Sequence, residues 1–356
     1  MLLQRSCTAA AAAPARQQQH QPRLARRPPV AAAASAPAAP SLLLRRRRTQ
    51  SQPTVVASAA AAAASVPFPS DDSNNTSTTP ATSSSGRDIG GGVYVGLRPK
   101  PSPLGLLAAR LRALLFAAWT FTLAIPLFVV MVLMSPLVLL TDKSRRLAQH
   151  FVNNLWACAS TMPFFRVSVE GLENLPANNS PAVYVANHAS FMDIFSLFHL
   201  MRSFKFVSKT SNFLIPIVGW SMFLTGHVSI NRVDRRSQLK CLGQCVDLLN
   251  AGASCLFFPE GTRSKDGKMH AFKKGAFSVA SKAGVPVVPV SLLGTAGVMP
   301  NGREGEMYGG KIRIVVHPPI QPSKDAGQMA DEARKAVASS LPADLVAAAD
   351  DEAPDE

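Results

Sequence analysis

"SCLFFPEGTRSKDGKMHAFKKGAFSVASKAGVPVVPV", from Ser254 to Val290, holds the pattern that decides the fold. It opens on an apolar run of strand length that ends in the charged turn "PEGT". "GAFSVASKAG" follows with helical spacing and a terminal glycine, and "VPVVPV" is a second apolar run. The order is therefore strand, turn, helix, strand. Upstream, "RRSQLKCLGQCVDLLNAGA" (Arg235 to Ala253) places Leu239, Leu242, Val246 and Leu249 on one helical face, with Gly252 positioned to end it. "FKFVSK" (Phe204 to Lys209) and "AVYVAN" (Ala182 to Asn187) read as strands, and "MDIFSLFHLM" (Met192 to Met201) as a helix. "FRVSVEGLENLP" (Phe165 to Pro176) alternates like a strand ending in a turn, and "KIRIVVHPPI" (Lys311 to Ile320) is a further strand. Such alternation predicts an α/β domain over residues 165–322, with a central, mostly parallel sheet flanked by helices. Pro286 and Pro289 constrain "VPVVPV", read as a strand lining a pocket; by themselves they indicate only an edge strand. Residues 323–356 hold a polar helix at "DEARKAVASSL" and an acidic tail.

Ahead of this domain the composition changes twice. From Ala113 to Thr141 no residue is charged, and at ~1.5 Å per residue that run is long enough to cross a hydrocarbon core ~30 Å thick. Pro126 and Pro136 interrupt it, which leaves one kinked transmembrane helix or a pair of helices dipping into one leaflet. Arg110 and Arg112 flank one end and Lys143, Arg145 and Arg146 the other, so the positive-inside rule does not orient it. We assign residues 104–164 to a membrane-embedded helical region. Residues 86–103, with "IGGG" and "RPKPSP", read as a linker.

Residues 1–85 are rich in Ala, Ser, Thr, Pro and Gln and contain no acidic residue before Asp71. This is the composition of an organellar transit peptide; the other reading is a disordered basic tail. The chain has 37 basic and 22 acidic residues, but nine of its arginines fall in residues 1–70, leaving 28 basic against 22 acidic. That modest excess gives no reason to expect nucleic acid as a partner, and suits an anionic lipid surface or a phosphorylated substrate. The five cysteines (Cys7, Cys158, Cys241, Cys245 and Cys255) form no CxxC pair and no zinc spacing with histidine. A reducing compartment is expected.

"VYVANHASFMDIF" (Val183 to Phe195) sets His188 and Asp193 five residues apart at the mouth of a buried strand. Either Asp193 merely caps the helix that follows, or the two form a proton-transfer pair. Two ligands without a credible third argue against a metal centre. Ser190 lies between them without the G-x-S-x-G surroundings of an activated nucleophile. "FPEGTRSKDGK" is not a P-loop, because Gly261 and Gly267 are too widely spaced and Met269 stands where Ser or Thr is required. It nevertheless offers backbone N–H groups at a tight turn, a hydroxyl and a guanidinium, and Arg263 has the planar fork that grips two phosphate oxygens.

In order along the chain, "NHASFMD" (Asn187 to Asp193), "GHVSINR" (Gly226 to Arg232), "FPEGTRS" (Phe258 to Ser264) and "VPVVPV" (Val285 to Val290) resemble the four blocks of the glycerolipid acyltransferase superfamily. The likeness spans about residues 165–320. The stretch from Ser203 to Leu239 further resembles the plastidial 1-acylglycerol-3-phosphate acyltransferases. The resemblance implies metal-free acyl transfer, without a cofactor, from acyl-ACP or acyl-CoA to the sn-2 hydroxyl of lysophosphatidate at a plastid membrane. His188 would be the general base oriented by Asp193, an imidazole being suited to that task by an ordinary pKa of roughly 6.5. Glu260, Gly261, Thr262 and Arg263 would bind the acceptor's glycerol phosphate, with Arg232 a second phosphate contact. Asn231 stands where many members carry an acidic residue, a departure from the second block. Lys209 would place an ammonium near the phosphate or the oxyanion; its other reading is an exposed strand-end lysine. Other acceptors (glycerol 3-phosphate or a lysophospholipid) and a catalytically silent lipid-binding scaffold are the alternatives.

Overall fold

The computed structural model describes residues 86–177 and 180–348. The leader and the acidic tail lie outside them. The strands are β1 (Arg87–Asp88), β2 (Tyr94–Val95), β3 (Arg166–Glu170), β4 (Val183–Ala186), β5 (Phe204–Lys209), β6 (Val228–Ile230), β7 (Ser254–Phe257), β8 (Val287–Leu293) and β9 (Lys311–Val316). The helices are α1 (Pro103–Thr141), α2 (Leu147–Thr161), α3 (Met192–Leu197), α4 (Val218–Thr225), α5 (Arg235–Asn250), α6 (Gly275–Ala283), α7 (Thr295–Val298) and α8 (Ala326–Ala338). Seven strands form the central sheet in the order β3-β9-β8-β4-β7-β5-β6. Strands β8, β4, β7, β5 and β6 are mutually parallel, while β9 runs antiparallel to β8 and parallel to β3.

Side chains alternate across a strand, so a strand covered on both faces must be apolar at every position. β4 shows this directly. Tyr184 and Ala186 join a core with Ala113 and Phe116 of α1, Ala157 of α2 and Phe195 of α3. Val183 and Val185 join the opposite core with Cys245 of α5, Phe277 of α6 and Ala333 of α8. The buried stripe of α5 is Cys241, Cys245 and Leu249 at four-residue spacing. Leu239, expected on that face, is 63 % exposed, because it lies about 200° around the helix from Cys241 at 3.6 residues per turn.

Two expectations change in the folded chain. The strand "VPVVPV" is interior, with β4 on one side and β9 on the other, and all seven residues of β8 are buried. Its proline is tolerated for a local reason. On that side the Pro289 carbonyl accepts from His317 N at 3.0 Å, just where Pro318 and Pro319 break the neighbouring ladder. Pairing resumes beyond them, where Val287 and Ile320 exchange both backbone bonds, so the missing N–H costs the ladder a single bond. Residues 86–98, expected as linker, form a hairpin with Arg87 opposite Val95 and Asp88 opposite Tyr94. Gly90, Gly91 and Gly92 supply its turn with φ of 104°, 64° and 80°, values that glycine adopts without a Cβ penalty. The hairpin is bound to the domain: Val93 and Val95 pack on Leu293, and Arg98 Nε donates to the Gly297 carbonyl at 2.5 Å.

α1 continues through Pro126 and Pro136 as one 39-residue helix rather than two, ~58 Å long at 1.5 Å per residue. Ala109, Ala113, Phe116, Thr120, Ala124, Met131, Ser135 and Val138 form its buried stripe. The rest is an exposed apolar surface that includes Leu107, Leu114, Leu133, Leu137 and Leu140. α2 runs back antiparallel along it: Arg112 donates to the Phe164 carbonyl at 2.5 Å, Trp119 to that of Ala159 at 3.0 Å, and Trp156 to that of Thr120 at 3.1 Å.

Candidate active site

The parallel strands all point their carboxyl ends to one edge of the sheet, where open α/β sheets place their ligands. β4 delivers His188 there, β7 the segment Phe258–Arg263, β5 Lys209 and β6 Arg232. The sheet order then fixes their spacing. β7 is next to β4, so His188 and the Phe258–Arg263 turn are neighbours. At ~4.8 Å per strand, Lys209 lies ~10 Å and Arg232 ~14 Å along the edge from the strand bearing His188. Lys209 and Ile230 are paired in register, so Lys209 and Arg232 form a separate, exposed basic end of the edge.

At the end of β4 the Asn187 side chain takes over the pairing with β8. Its Nδ2 donates to the Leu292 carbonyl at 3.0 Å, and its Oδ1 accepts from Leu292 N at 2.8 Å. With the sheet edge satisfied by a side chain, the backbone is released to turn at His188. His188 Nδ1 then meets Asp193 Oδ2 at 2.8 Å. The same oxygen accepts from Ala189 N at 2.7 Å and Ser190 N at 2.9 Å. A helix-capping carboxylate accepts from residues two or three ahead of it; Asp193 reaches back toward the histidine. The cap position is Phe191, which makes no side-chain cap bond. Asp193 is fully buried, and the His188 side chain is 12 % exposed.

Phe258 lies flat against the His188 ring, centroids 3.9 Å apart and planes 14° from parallel. Stacking and the Asp193 bond together hold the imidazole in one orientation. Nε2 faces away from Asp193 and makes no hydrogen bond among the described residues. Ser190 is fully buried; its hydroxyl donates to the Met299 carbonyl at 2.6 Å and accepts from Met192 N at 3.1 Å. It serves the helix entry, not a nucleophilic attack. His227, an extra histidine within the second block, accepts from Phe206 N at 3.1 Å in the interior.

Glu260 departs from the expected substrate contact. It is 1 % exposed, and both carboxylate oxygens are taken by backbone: His188 N donates to Oε1 at 2.7 Å and His270 N to Oε2 at 3.0 Å. Burial pushes this carboxyl up to about 8; the two N–H donors pull against that, and Asp193 and Asp266 reinforce it. Glu260 is thus a brace beneath the site, holding the histidine turn to the Gly261–Arg263 turn, with both carboxylate oxygens engaged by backbone. Ser264 N donating to the His188 carbonyl at 2.9 Å closes the same brace.

Gly261, Thr262 and Arg263 are half-buried at the rim. Gly261 has φ of +87°, a region that favours glycine. Lys273, which the sequence pattern did not single out, lies across it, with Nζ 3.4 Å from where a β-carbon would stand. Lys273 N donates to the Pro259 carbonyl at 2.9 Å, which sets this lysine beside the turn. Arg263 Nη1 donates to Glu304 Oε1 at 2.7 Å. Burial would raise the Glu304 carboxyl, but the backbone N–H groups of Glu304 and Gly302, with Arg263, outweigh it and hold it below the ordinary value. Asn187 and Phe258 open the blocks "NHASFMD" and "FPEGTRS" but were given no role there, and Glu304 lies outside every block; each acts through a partner distant in sequence. Among the described residues no group of three His, Cys, Asp or Glu side chains is placed to hold a metal ion.

Comparison with known proteins places this geometry in context. The family model described as Acyltransferase matches residues 166–293. A 1-acyl-sn-glycerol-3-phosphate acyltransferase of Chlamydomonas reinhardtii is 66 % identical over 258 residues, 72 % of this chain and 77 % of that protein. A chloroplastic 1-acyl-sn-glycerol-3-phosphate acyltransferase of Arabidopsis thaliana is 50 % identical over 241 residues, 68 % of this chain and 67 % of that protein. The crystal structure of the 1-acyl-sn-glycerophosphate acyltransferase from Thermotoga maritima superposes with a TM-score of 0.54 at 29 % identity, over 64 % of this chain and 94 % of that one.

Proposed function

The chain belongs to the family of 1-acyl-sn-glycerol-3-phosphate acyltransferases, and on that premise we propose that it acylates the sn-2 hydroxyl of 1-acyl-sn-glycerol 3-phosphate, giving phosphatidate. The donor is a fatty acyl thioester, acyl-ACP or acyl-CoA. The observation that carries the mechanism is the 2.8 Å bond from His188 Nδ1 to Asp193, which leaves Nε2 as the base. Nε2 takes the hydroxyl proton as the oxygen attacks the thioester carbonyl. Asp193 stabilises the imidazolium, the tetrahedral oxyanion collapses, and the departing thiolate takes the proton back from Nε2. The substrate hydroxyl occupies the place of a hydrolase serine, so no acyl-enzyme is required.

The acceptor phosphate binds at the Gly261–Arg263 turn, next to the strand that carries His188. Lys209 and Arg232 lie farther along the same edge and contribute positive charge there. Arg263→Lys keeps the charge but loses the planar fork. Loss of one charge-assisted bond, ~1.5 kcal/mol, should raise the acceptor KM roughly tenfold, with donor KM nearly unchanged. Steady-state kinetics with lysophosphatidate and with neutral monoacylglycerol check this; an equal loss on both acceptors would remove the phosphate assignment. A panel of lysophosphatidate, glycerol 3-phosphate and a lysophospholipid on purified membranes tests the acceptor, and turnover of none would favour a silent scaffold.

The exposed apolar surface of α1 and the alternation of its buried stripe support membrane association through that helix. The acid-poor leader, and the chloroplastic relative from Arabidopsis, support a plastid address. Because the hairpin over residues 86–98 packs on the domain, import should cleave ahead of Gly86. Mass spectrometry of the mature protein should find an N-terminus within roughly residues 70 to 85. A terminus at Met1 or beyond Arg87 would reject this, and co-fractionation with mitochondria would reject the organelle alone.

A further inference from the structure

Arg263 is occupied by a carboxylate. Its Nη1 donates to Glu304 Oε1 at 2.7 Å, the two side chains being 33 % and 41 % exposed. A second donor, Gly302 N, holds the same oxygen at 3.2 Å. Glu304 sits on the connection between α7 and β9, and that connection is fastened to both halves of the candidate active site. Ser190 of the histidine turn donates to the Met299 carbonyl at 2.6 Å. Asn301 Nδ2 donates to the carbonyl of Ser264, in the phosphate-type turn, at 2.9 Å. Farther on, Met307 N donates to the Ala109 carbonyl of α1 at 3.0 Å. The carboxylate is therefore presented to the guanidinium by a tethered loop, not brought there by a free surface side chain.

A carboxylate and a phosphate offer a guanidinium the same acceptor geometry, and both cannot hold the same N–H donor. We propose that Glu304 is an intramolecular stand-in for the acceptor phosphate: it holds Arg263 in the resting enzyme and yields it when the acceptor binds, so that Glu304 sets acceptor affinity and selectivity. The inference rests on the reading of Arg263 as the phosphate contact. Its consequence is a threshold. A phosphate monoester, with close to two negative charges and three free oxygens, competes well against one carboxylate. A phosphodiester headgroup carries a single charge and competes poorly. Glu304 thereby selects lysophosphatidate over lysophospholipids that share its acyl chain and its sn-2 hydroxyl.

The test is Glu304→Gln, which retains an oxygen for Gly302 N and removes the charge. Exposed ion pairs are weak, so the expected effect is moderate: the acceptor KM falls about two- to fivefold, with a smaller change in kcat. The inhibition constant of inorganic phosphate should fall in parallel, and the preference for lysophosphatidate over a lysophospholipid should narrow. In an Arg263→Lys background the same substitution should give a smaller gain, because the competition is for the fork. If Arg263→Lys raises acceptor KM but Glu304→Gln leaves KM and phosphate inhibition unchanged or worse, the stand-in is overturned and the phosphate site survives. If Arg263→Lys leaves acceptor KM unchanged, the phosphate site itself falls and the stand-in falls with it.

Discussion

His188→Ala is expected to lower turnover by roughly 10²- to 10⁴-fold, the range of a positioned general base, in a protein that still folds. The expectation of intact folding comes from the division of labour at this residue. The backbone of His188 ties the site together, through N–H to Glu260 at 2.7 Å and carbonyl to Ser264 N at 2.9 Å, and alanine preserves both bonds. Only the ring is lost, with its contact to Phe258 and its bond to Asp193. Among the described residues no other imidazole is placed to substitute: His270 is buried on Asp266, His227 is in the interior, and His150, His199 and His317 are bonded to Lys205, Thr161 and Ser291. Single-turnover acylation of lysophosphatidate by wild-type and variant membranes is the measurement, with a thermal melt as the control for folding. Near-normal rates in the variant would eliminate His188 as the base.

The second large effect is predicted for Asp193→Asn. Asp193 Oδ2 accepts from His188 Nδ1, Ala189 N and Ser190 N, while Oδ1 is buried and has no partner among the described residues. An asparagine can set its carbonyl oxygen in the place of Oδ2 and its amide nitrogen in the place of Oδ1. All three donors remain satisfied, so the turn and the histidine tautomer should be kept. What disappears is the negative charge that stabilises the imidazolium. Charge-assisted hydrogen bonds contribute ~1.5–3 kcal/mol, so kcat should drop by roughly 10- to 150-fold with acceptor KM unchanged. A rise in KM with kcat intact would instead assign Asp193 to binding. A lowered melting temperature with normal kcat in the surviving protein would assign it to the turn alone.

The amino-acid sequence by itself determined most of the element types between Phe165 and Ile320, the mostly parallel sheet, the long apolar helix and the placement of two polar motifs at strand ends. These follow from near neighbours in the chain. Strand and helix periods appear within a few residues, and the turn chemistry of "NHASFMD" and "FPEGTRS" is local. His188 and Asp193 were legible as a pair for the same reason, being five residues apart on one turn. What the local pattern left open was whether Asp193 looks forward as a cap or back toward the ring.

Tertiary structure decided that question, and the roles of residues whose partners are remote. Glu260 looked like a ligand contact beside Arg263, yet its partner is the backbone of His188, 72 residues upstream. Arg263 meets Glu304, 41 residues downstream, and Asn187 completes a strand 105 residues away. Leu239 was misplaced because its helix turns Cys241 and Cys245 to the sheet, and β8 proved central despite its prolines. Such pairings depend on strand order, which is set by burying whole faces of the sheet against helices on both sides. A one-dimensional pattern specifies which faces must be covered; only the packed sheet fixes which segment covers them, and therefore which polar groups meet at its edge.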